Sequence, residues 1–316
     1  MKSAIDWDDI VVMSDAANPQ LIMAAEHVHA ENNPRISVVM PAHNEEEVIG
    51  RILDELHEGH YHEIIVVDDG STDQTIAVAQ AHGAKVVRHP YNIGNGAAVK
   101  SGIRAATGDI IVLMDSDGQH PPSNIPRLVS YIGDYDMVVG ARSAESQAGL
   151  HRAVANGVFN RYASYIVGYP IPDLTSGFRV IKAPLVKRFV YLLPNGYSYP
   201  STITIAMFRS GFRVRYEPIV APSRVGVSKI RPLRDGLRFM MTITRLGTMF
   251  VPLKIFVPIS LLFLSVGIGY GSWLLVYRSR FSNMAMLLIL IGVTVFLVGL
   301  IAEQIALLRM ANTTRD

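Results

Sequence analysis

Two carboxylates one residue apart, Asp115 and Asp117, follow directly on an apolar run at residues 110–114, and an amide, Gln119, stands two residues further on. Carboxylates this close repel each other unless a cation lies between them. Oxygen donors with an amide nearby suit Mg2+ or Mn2+, ions that also bind substrate phosphates. The plain alternative is a solvated, Asp-rich turn capping the next helix. Other acids also fall where apolar runs stop: Glu45 just past 36–40, and Asp68 and Asp69 at the end of 63–68. Ligands bind off the carboxyl ends of strands in an open α/β sheet, so these acids converge on one edge. There they can accept from ribose hydroxyls or a base N–H, and a metal held by Asp117 can neutralise a diphosphate. The pattern describes a nucleotide-diphosphate site without a P-loop. Gly94-x-Gly96 has the start of a dinucleotide fingerprint, but Val99 stands where Gly or Ala is required.

Short, β-branched, continuous apolar runs read as buried parallel strands. They predict strands at 36–40, 63–68, 85–88, 110–114 and 136–140, with further strands at 180–182 and 213–219. Between them, the acids at 45–47 predict the first turn of a helix. Asp73 or Ser71 is placed to cap a helix running to Ala81, and the glycine-rich turn at 91–96 opens another, 97–106. This alternation makes an α/β protein with a doubly wound sheet. Past Gly140 the pattern loosens. Residues 151–167 read as a helix carrying Arg152, Asn156 and Arg161. A polar, turn-rich cluster spans 173–179, and a basic loop spans 225–229. His43, His120 and His151 read as packing or hydrogen-bonding histidines rather than bases. Residues 1–34 form an N-terminal arm without an assigned role.

The 316-residue chain is 49% hydrophobic and only 18% charged, apolar for a soluble enzyme. The excess is local: residues 255–277 and 284–302 carry no charge, and each is about the 20 residues a bilayer crossing needs. The link at 278–283 is only a turn, so a two-helix transmembrane hairpin is expected over 251–310, with a cytoplasmic tail at 311–316. Before it, residues 229–250 read as an amphipathic helix lying in the membrane interface, with Leu233, Leu237, Met240 and Met241 opposed to Arg234, Arg238 and Arg245. The catalytic domain then occupies 35–228. Positive charge lies on both flanks of the hairpin (Arg231, Arg234, Arg238, Arg245 and Lys254 before it, Arg309 and Arg315 after). That bias predicts a multi-pass membrane protein whose large domain is cytoplasmic. No signal peptide is read at the start, and the absence of cysteine fits a cytoplasmic face. Net charge is +2, and with no aromatic-basic recognition motif, nucleic acid is not expected as a partner.

Three segments together resemble the signatures of family 2 glycosyltransferases with the GT-A fold, a doubly wound mixed sheet. They are P-A-H-N-E at 41–45, V-D-D-G-S-T-D at 67–73 and D-S-D-G-Q-H-P-P at 115–122. G-A-R at 140–142, T-S-G-F-R at 175–179 and the terminal hairpin narrow the resemblance to the polyprenyl-phosphate group, similar to dolichyl-phosphate mannose synthase and its undecaprenyl relatives. The resemblance covers roughly residues 35–310. It implies that Pro41, His43, Glu45, Val67, Asp69 and Ser116 hold the nucleotide sugar and that Lys229, with Ser228, closes over it. Position 43 is often Tyr in the family. Asp115, Asp117 and Gln119 would bind the metal and the donor diphosphate. Arg142, Arg152 and Asn156 would meet the acceptor phosphate, with Arg179 bordering the same pocket, so that Asp115, Asp117, Arg142 and Arg152 carry the reaction. The Q-x-x-R-W motif of processive synthases is absent. The expectation is inverting transfer of one sugar to a polyprenyl monophosphate, by an enzyme that the resemblance allows to be a homo-oligomer. The alternatives are transfer to a lipid hydroxyl or glycan, which would need a base, and a catalytically silent nucleotide-binding membrane scaffold.

Overall fold

The computed structural model describes residues 34–142, 150–196, 198–220 and 232–313. The chain divides into two compact units, one ending at Gly236 and the other beginning at Leu237.

The first unit is built on a seven-stranded mixed sheet: β1 (Ile36–Ala42), β2 (Glu63–Asp68), β3 (Lys85–Arg88), β4 (Ile110–Leu113), β5 (Met137–Arg142), β6 (Arg179–Lys182) and β7 (Val214–Ile219). Their order across the sheet is β3-β2-β1-β4-β6-β5-β7. β4, I-I-V-L, is buried at every position, as a strand covered on both faces must be. Helices α1 (Ile49–His57), α2 (Thr75–Ala81) and α3 (Asn95–Ala105) supply the crossovers that parallel strands require. α4 (Ile125–Val129), α5 (Leu150–Val167), α6 (Ala183–Phe189) and α7 (Tyr199–Arg209) complete the unit. The core includes Val38, Met40, Ile52, Leu53, Val66, Val112 and Phe178.

Register decides which residues meet. Pro41 stands opposite Val67 and Ala42 opposite Asp68, while Val39 stands opposite Leu113. β1, β2 and β4 therefore end together. β6 runs antiparallel between β4 and β5, with Arg179 opposite both Leu113 and Val139. Its first residue thus lies at the sheet end where β4 and β5 finish, which brings residues 173–178 to the carboxylates after β4.

One local expectation is corrected. The helix after β1 begins at Ile49, with no acid in its first turn. Glu45–47 precede it as a loop, because Asn44 takes a left-handed conformation (φ 57°) and turns the chain.

In the second unit, α9 (Pro252–Arg278) and α10 (Asn283–Thr313) form an antiparallel hairpin. Both are long and apolar enough to cross a membrane, α10 over Asn283–Leu308. The Ser260 hydroxyl donates to Gly292 O at 2.8 Å across the pair. α8 (Pro232–Phe250) carries exposed Leu237 and Met241 and buried Ile243, Leu246 and Phe250. The division between units falls inside α8, eight residues beyond the boundary expected at 228/229.

Candidate active site

The turn after β4 is fixed from several sides. Asp115 N donates to His120 Nδ1 at 3.0 Å. Gln119 N donates to Asp117 Oδ1 at 3.1 Å. Gly118, at φ 78°, permits the reversal between them. The Ser116 hydroxyl donates to Pro41 O at 2.7 Å and ties the turn to β1. Ser116 is 3% exposed, so its role is to lock two strand ends together rather than to meet a ligand. His120 is buried and stacks on Phe178, with ring centroids 5.2 Å apart. Burial, opposed by Asp117 and aided by Arg142, pushes its pKa down to about 4. Because Nδ1 accepts an amide hydrogen, the neutral ring carries its proton on Nε2. His120 is thus a packing and hydrogen-bonding residue.

On the β2 side, two loops are stitched together. Asn44 N donates to Ser71 Oγ at 3.0 Å and Thr72 N to Asn44 Oδ1 at 2.9 Å. Glu45 N donates to Thr75 Oγ1 at 2.9 Å, and Gln74 N to Glu46 Oε2 at 2.8 Å. Asp73 accepts from Thr75 N at 3.0 Å, organising the start of α2. Glu45 itself is half-buried at the β1 end. His43 also lies there, and its Nδ1 is buried without a hydrogen-bond partner in the structure.

Two residues expected at the nucleoside have other contacts in the structure. The Asp69 carboxylate accepts from Gly94 N (2.8 Å), Ile93 N (3.0 Å) and His89 Nδ1 (2.7 Å). Burial raises its pKa, but these hydrogen bonds outweigh it and leave the group below its ordinary value. At 3% exposure it holds the 91–94 turn in place rather than facing a base. Val67 is fully buried in the sheet, so its side chain cannot meet a nucleoside.

Arg142 ends β5 on the same edge. Its Nε and Nη2 donate to the two oxygens of Asp173 at 2.8 and 3.0 Å, and Nη2 also donates to Thr175 Oγ1 at 2.6 Å. Burial lowers its pKa and the contact with Asp173 raises it further, with Asp115 and Asp117 adding to the rise. The guanidinium is therefore within electrostatic reach of the carboxylate pair. Arg179 is a correction. It is fully buried, donating to Ser176 O (2.9 Å), Thr204 Oγ1 (2.6 Å) and Leu174 O (3.3 Å). It supports the 174–176 turn from below and borders no open pocket. Arg152 and Asn156 ride on α5, but their side chains lie outside the described residues, as do Ser228 and Lys229.

Sequence reasoning missed three neighbours. A Cβ on Gly177 would run into Asp115 Oδ2 and stand 3.0 Å from the Tyr199 hydroxyl, so only glycine lets the 173–178 turn pack on the carboxylate. Tyr199 is fully buried, and burial with Asp115 nearby holds its pKa well above the ordinary value. Arg51, on α1, brings Nη2 within 3.4 Å of the point where a side chain on Gly118 would begin.

These donors fit a divalent cation that shares its shell with a substrate. Asp115 and Asp117 supply hard oxygens from one turn, with partly exposed Gln119 beside them. His120 Nδ1 is already committed to Asp115 N. Among the described residues no group of three or more His, Cys, Asp or Glu gathers to hold a metal alone. A set this small leaves coordination places for phosphate oxygens and water, the habit of Mg2+ and Mn2+.

Known proteins converge on the same class. Residues 37–189 match glycosyl transferase family 2, and residues 251–308 match the GtrB C-terminal hairpin. The dolichyl-phosphate hexose transferase of Haloferax volcanii is 33% identical over 208 residues, covering 64% of this chain and 89% of that one. The undecaprenyl-phosphate 4-deoxy-4-formamido-L-arabinose transferase of Klebsiella pneumoniae subsp. pneumoniae is 27% identical over 303 residues, 89% of this chain and 90% of its own. Among solved structures, glucosyl-3-phosphoglycerate synthase from Mycobacterium tuberculosis, in complex with Mn2+ and UDP-glucose, superposes with a TM-score of 0.56 at 25% identity, covering 73% of this chain and 84% of that one. The chain belongs to glycosyl transferase family 2. It is a glycosyltransferase with a C-terminal hairpin of the GtrB type.

Proposed function

We propose that the protein transfers a single sugar, with inversion, from a nucleotide-diphosphate sugar to a polyprenyl monophosphate of the dolichyl or undecaprenyl kind. The observation that carries this reading is the meeting, on one sheet edge, of the Asp115/Asp117 pair with the anchored cation Arg142. A carboxylate pair serves a metal-bound leaving diphosphate, and a separate cation serves an anionic acceptor. The relatives' acceptors, dolichyl and undecaprenyl phosphate, have this charge.

The chemistry asks little proton transfer of the protein. A phosphomonoester has a second pKa of about 6, so the acceptor oxygen is already anionic near neutral pH. A hydroxyl acceptor on a lipid or glycan would need a base. His120, buried and neutral with Nδ1 committed, does not supply one. A divalent cation, Mg2+ or Mn2+, held by Asp115 and Asp117 with Gln119 alongside, would supply charge stabilisation to the leaving diphosphate. Arg142 steadies the attacking phosphate, joined by Arg152 and Asn156 from α5. His43 and Glu45, at the end of β1, bound the nucleoside, and Lys229 closes over the donor. Alignment of the two substrates supplies the remaining acceleration.

The hairpin α9–α10 spans the membrane, with basic residues on its two flanks facing the cytoplasm. The first unit then works at the cytoplasmic face, where a lipid phosphate arrives in two dimensions. A homo-oligomer accords with this reading. The test is a panel of radiolabelled UDP- and GDP-sugars given to the purified enzyme in vesicles containing polyprenyl phosphate, followed by organic extraction. One donor is expected to move label into the lipid phase. Label that stays aqueous with every donor would refute the proposal.

A further inference from the structure

Asp173 is 3% exposed, yet it collects six hydrogen bonds. Arg142 supplies three, from N (3.2 Å), Nε (2.8 Å) and Nη2 (3.0 Å). Thr175 N, Thr175 Oγ1 and Ser176 N, each at 3.1 Å, supply the others. The pair is bidentate, the geometry that fixes a guanidinium in orientation as well as in place. Thr175 Oγ1 takes a further hydrogen from Nη2 at 2.6 Å. Burial pushes the Asp173 pKa up, but Arg142 and the backbone amides pull it below the ordinary value, so the group stays ionised.

This arrangement leaves Arg142 one edge. Nε and Nη2 are committed, and among the described residues Nη1 makes no hydrogen bond. The Arg142 side chain is 22% exposed against 3% for Asp173, so the guanidinium has an open side and its anchor does not. A phosphate arriving at this sheet edge therefore meets Nη1, not the Nε/Nη2 fork. Further, the attractive charge it meets is already partly offset by a carboxylate. That moderates the grip on the phosphodiester product, which carries less charge than the monoester that entered.

We infer that Asp173 is a positioning residue for the acceptor, acting through Arg142 by holding its Nη1 edge toward the Asp115/Asp117 turn. This rests on the proposed lipid-phosphate reading. The polar residues of the 173–176 turn have no other part in the reaction.

The test is a double-mutant cycle in the full-length enzyme, in vesicles carrying polyprenyl phosphate. Asp173→Asn keeps the size and an acceptor for the backbone amides but loses the charge that orients the fork. It is expected to raise KM for polyprenyl phosphate and lower kcat, together about tenfold in kcat/KM. Donor nucleotide binding, read by titration with the nucleoside diphosphate, is expected to stay within about twofold. The decisive readout is coupling: in an Arg142→Ala background, Asp173→Asn is expected to cost less than about twofold more. Losses that multiply across the two sites would overturn the inference, since a merely structural acid would act independently of Arg142. So would an Asp173→Asn enzyme with unchanged acceptor kinetics. Thr175→Val, which removes the hydroxyl's 2.6 Å contact to Nη2 together with its 3.1 Å contact to Asp173, tests the same anchoring with less risk to folding. A wild-type enzyme that ignores polyprenyl phosphate in the same vesicles would instead break the underlying reading of the substrate.

Discussion

The two ends of the sheet treat their acids in opposite ways. At the amino ends of the parallel strands three acids each meet a cation. Asp109 pairs with Arg35 at 3.1 Å, Glu63 with Lys85 at 3.1 Å, and Asp136 with Lys182 at 2.8 Å. At the carboxyl ends the acids are held mainly by backbone amides. Asp68 takes Ser71 N, Asp69 takes Ile93 N and Gly94 N, and Asp73 takes Thr75 N. Arg142 is the bidentate cation at that edge, and its own partner is buried Asp173 rather than the Asp115/Asp117 pair. Amides fix the geometry of a carboxylate without adding a full positive charge nearby. The first end is built for stability, and the second holds its acids in the arrangement that the proposed metal-bound diphosphate would use.

Breaking the carboxyl end is expected to cost the most. Asp117→Asn replaces a proposed ligand oxygen with a near-isosteric amide and is expected to lower kcat by about a hundredfold to a thousandfold, with unchanged melting temperature. Full activity of the wild-type enzyme in excess chelator would remove the metal from the picture altogether. Next comes Asp136→Asn at the opposite end. Breaking that buried pair strands Lys182, at about 3–5 kcal/mol, while kcat per folded molecule holds; chemical denaturation alongside an active-fraction assay reads both. A large kcat loss there would erase the division between the ends.

Gly177→Ala pushes a methyl group into the Asp115 carboxylate, and a misplacement of this kind is expected to cost about tenfold or more in kcat. Mn2+ binding, followed by electron paramagnetic resonance, should weaken with it; unchanged Mn2+ affinity would mean that Asp115 has room to move. Arg142→Lys is expected to lower kcat/KM for the lipid phosphate by about tenfold, since Lys cannot keep the fork to Asp173. Weakened nucleotide binding with a spared lipid KM would assign that arginine to the other substrate.

The smallest effect concerns Glu63. Burial raises its pKa, but hydrogen bonds from Thr107, Ser37 and Lys85 win and lower it to about 2. Since the folded value lies below the unfolded one, its contribution is complete above the unfolded pKa and fades as pH falls toward 2. Glu63→Gln is therefore expected to cost about 1–2 kcal/mol near pH 7 and almost nothing near pH 2, in urea melts across that range. A pH-independent difference would contradict the assignment.

Much of the carboxyl end was legible because its signals are local. Asp115 and Asp117 follow their strand within two residues, and strand runs such as 110–113 are too apolar for any other place. Contacts between distant segments were not. Asp173 lies 31 residues from Arg142, and Gly177 lies 62 from Asp115; nothing in either spacing announces a meeting. The antiparallel insertion of β6 between β4 and β5 makes both contacts, and short apolar V-I does not reveal its direction. Arg179 misled for a related reason. It follows a polar turn, and the resemblance set it at the border of the acceptor pocket, whereas the sheet buries it and neutral oxygens satisfy it. Asp69 likewise stood at a strand end, but the 91–94 turn folds over and occupies it.

The most direct test of the central claim sets the acceptor's charge against its absence. Wild-type enzyme in vesicles, with the active nucleotide sugar and Mn2+, would be offered polyprenyl monophosphate and the matching polyprenol at equal concentration, and lipid-extractable label would be counted. Transfer to the phosphate alone, falling as pH drops below the second phosphate pKa of about 6, is the expected result. Equal or preferred transfer to the alcohol would contradict it, because it would demand a base, and buried His120, with Nδ1 committed to Asp115 N, does not supply one.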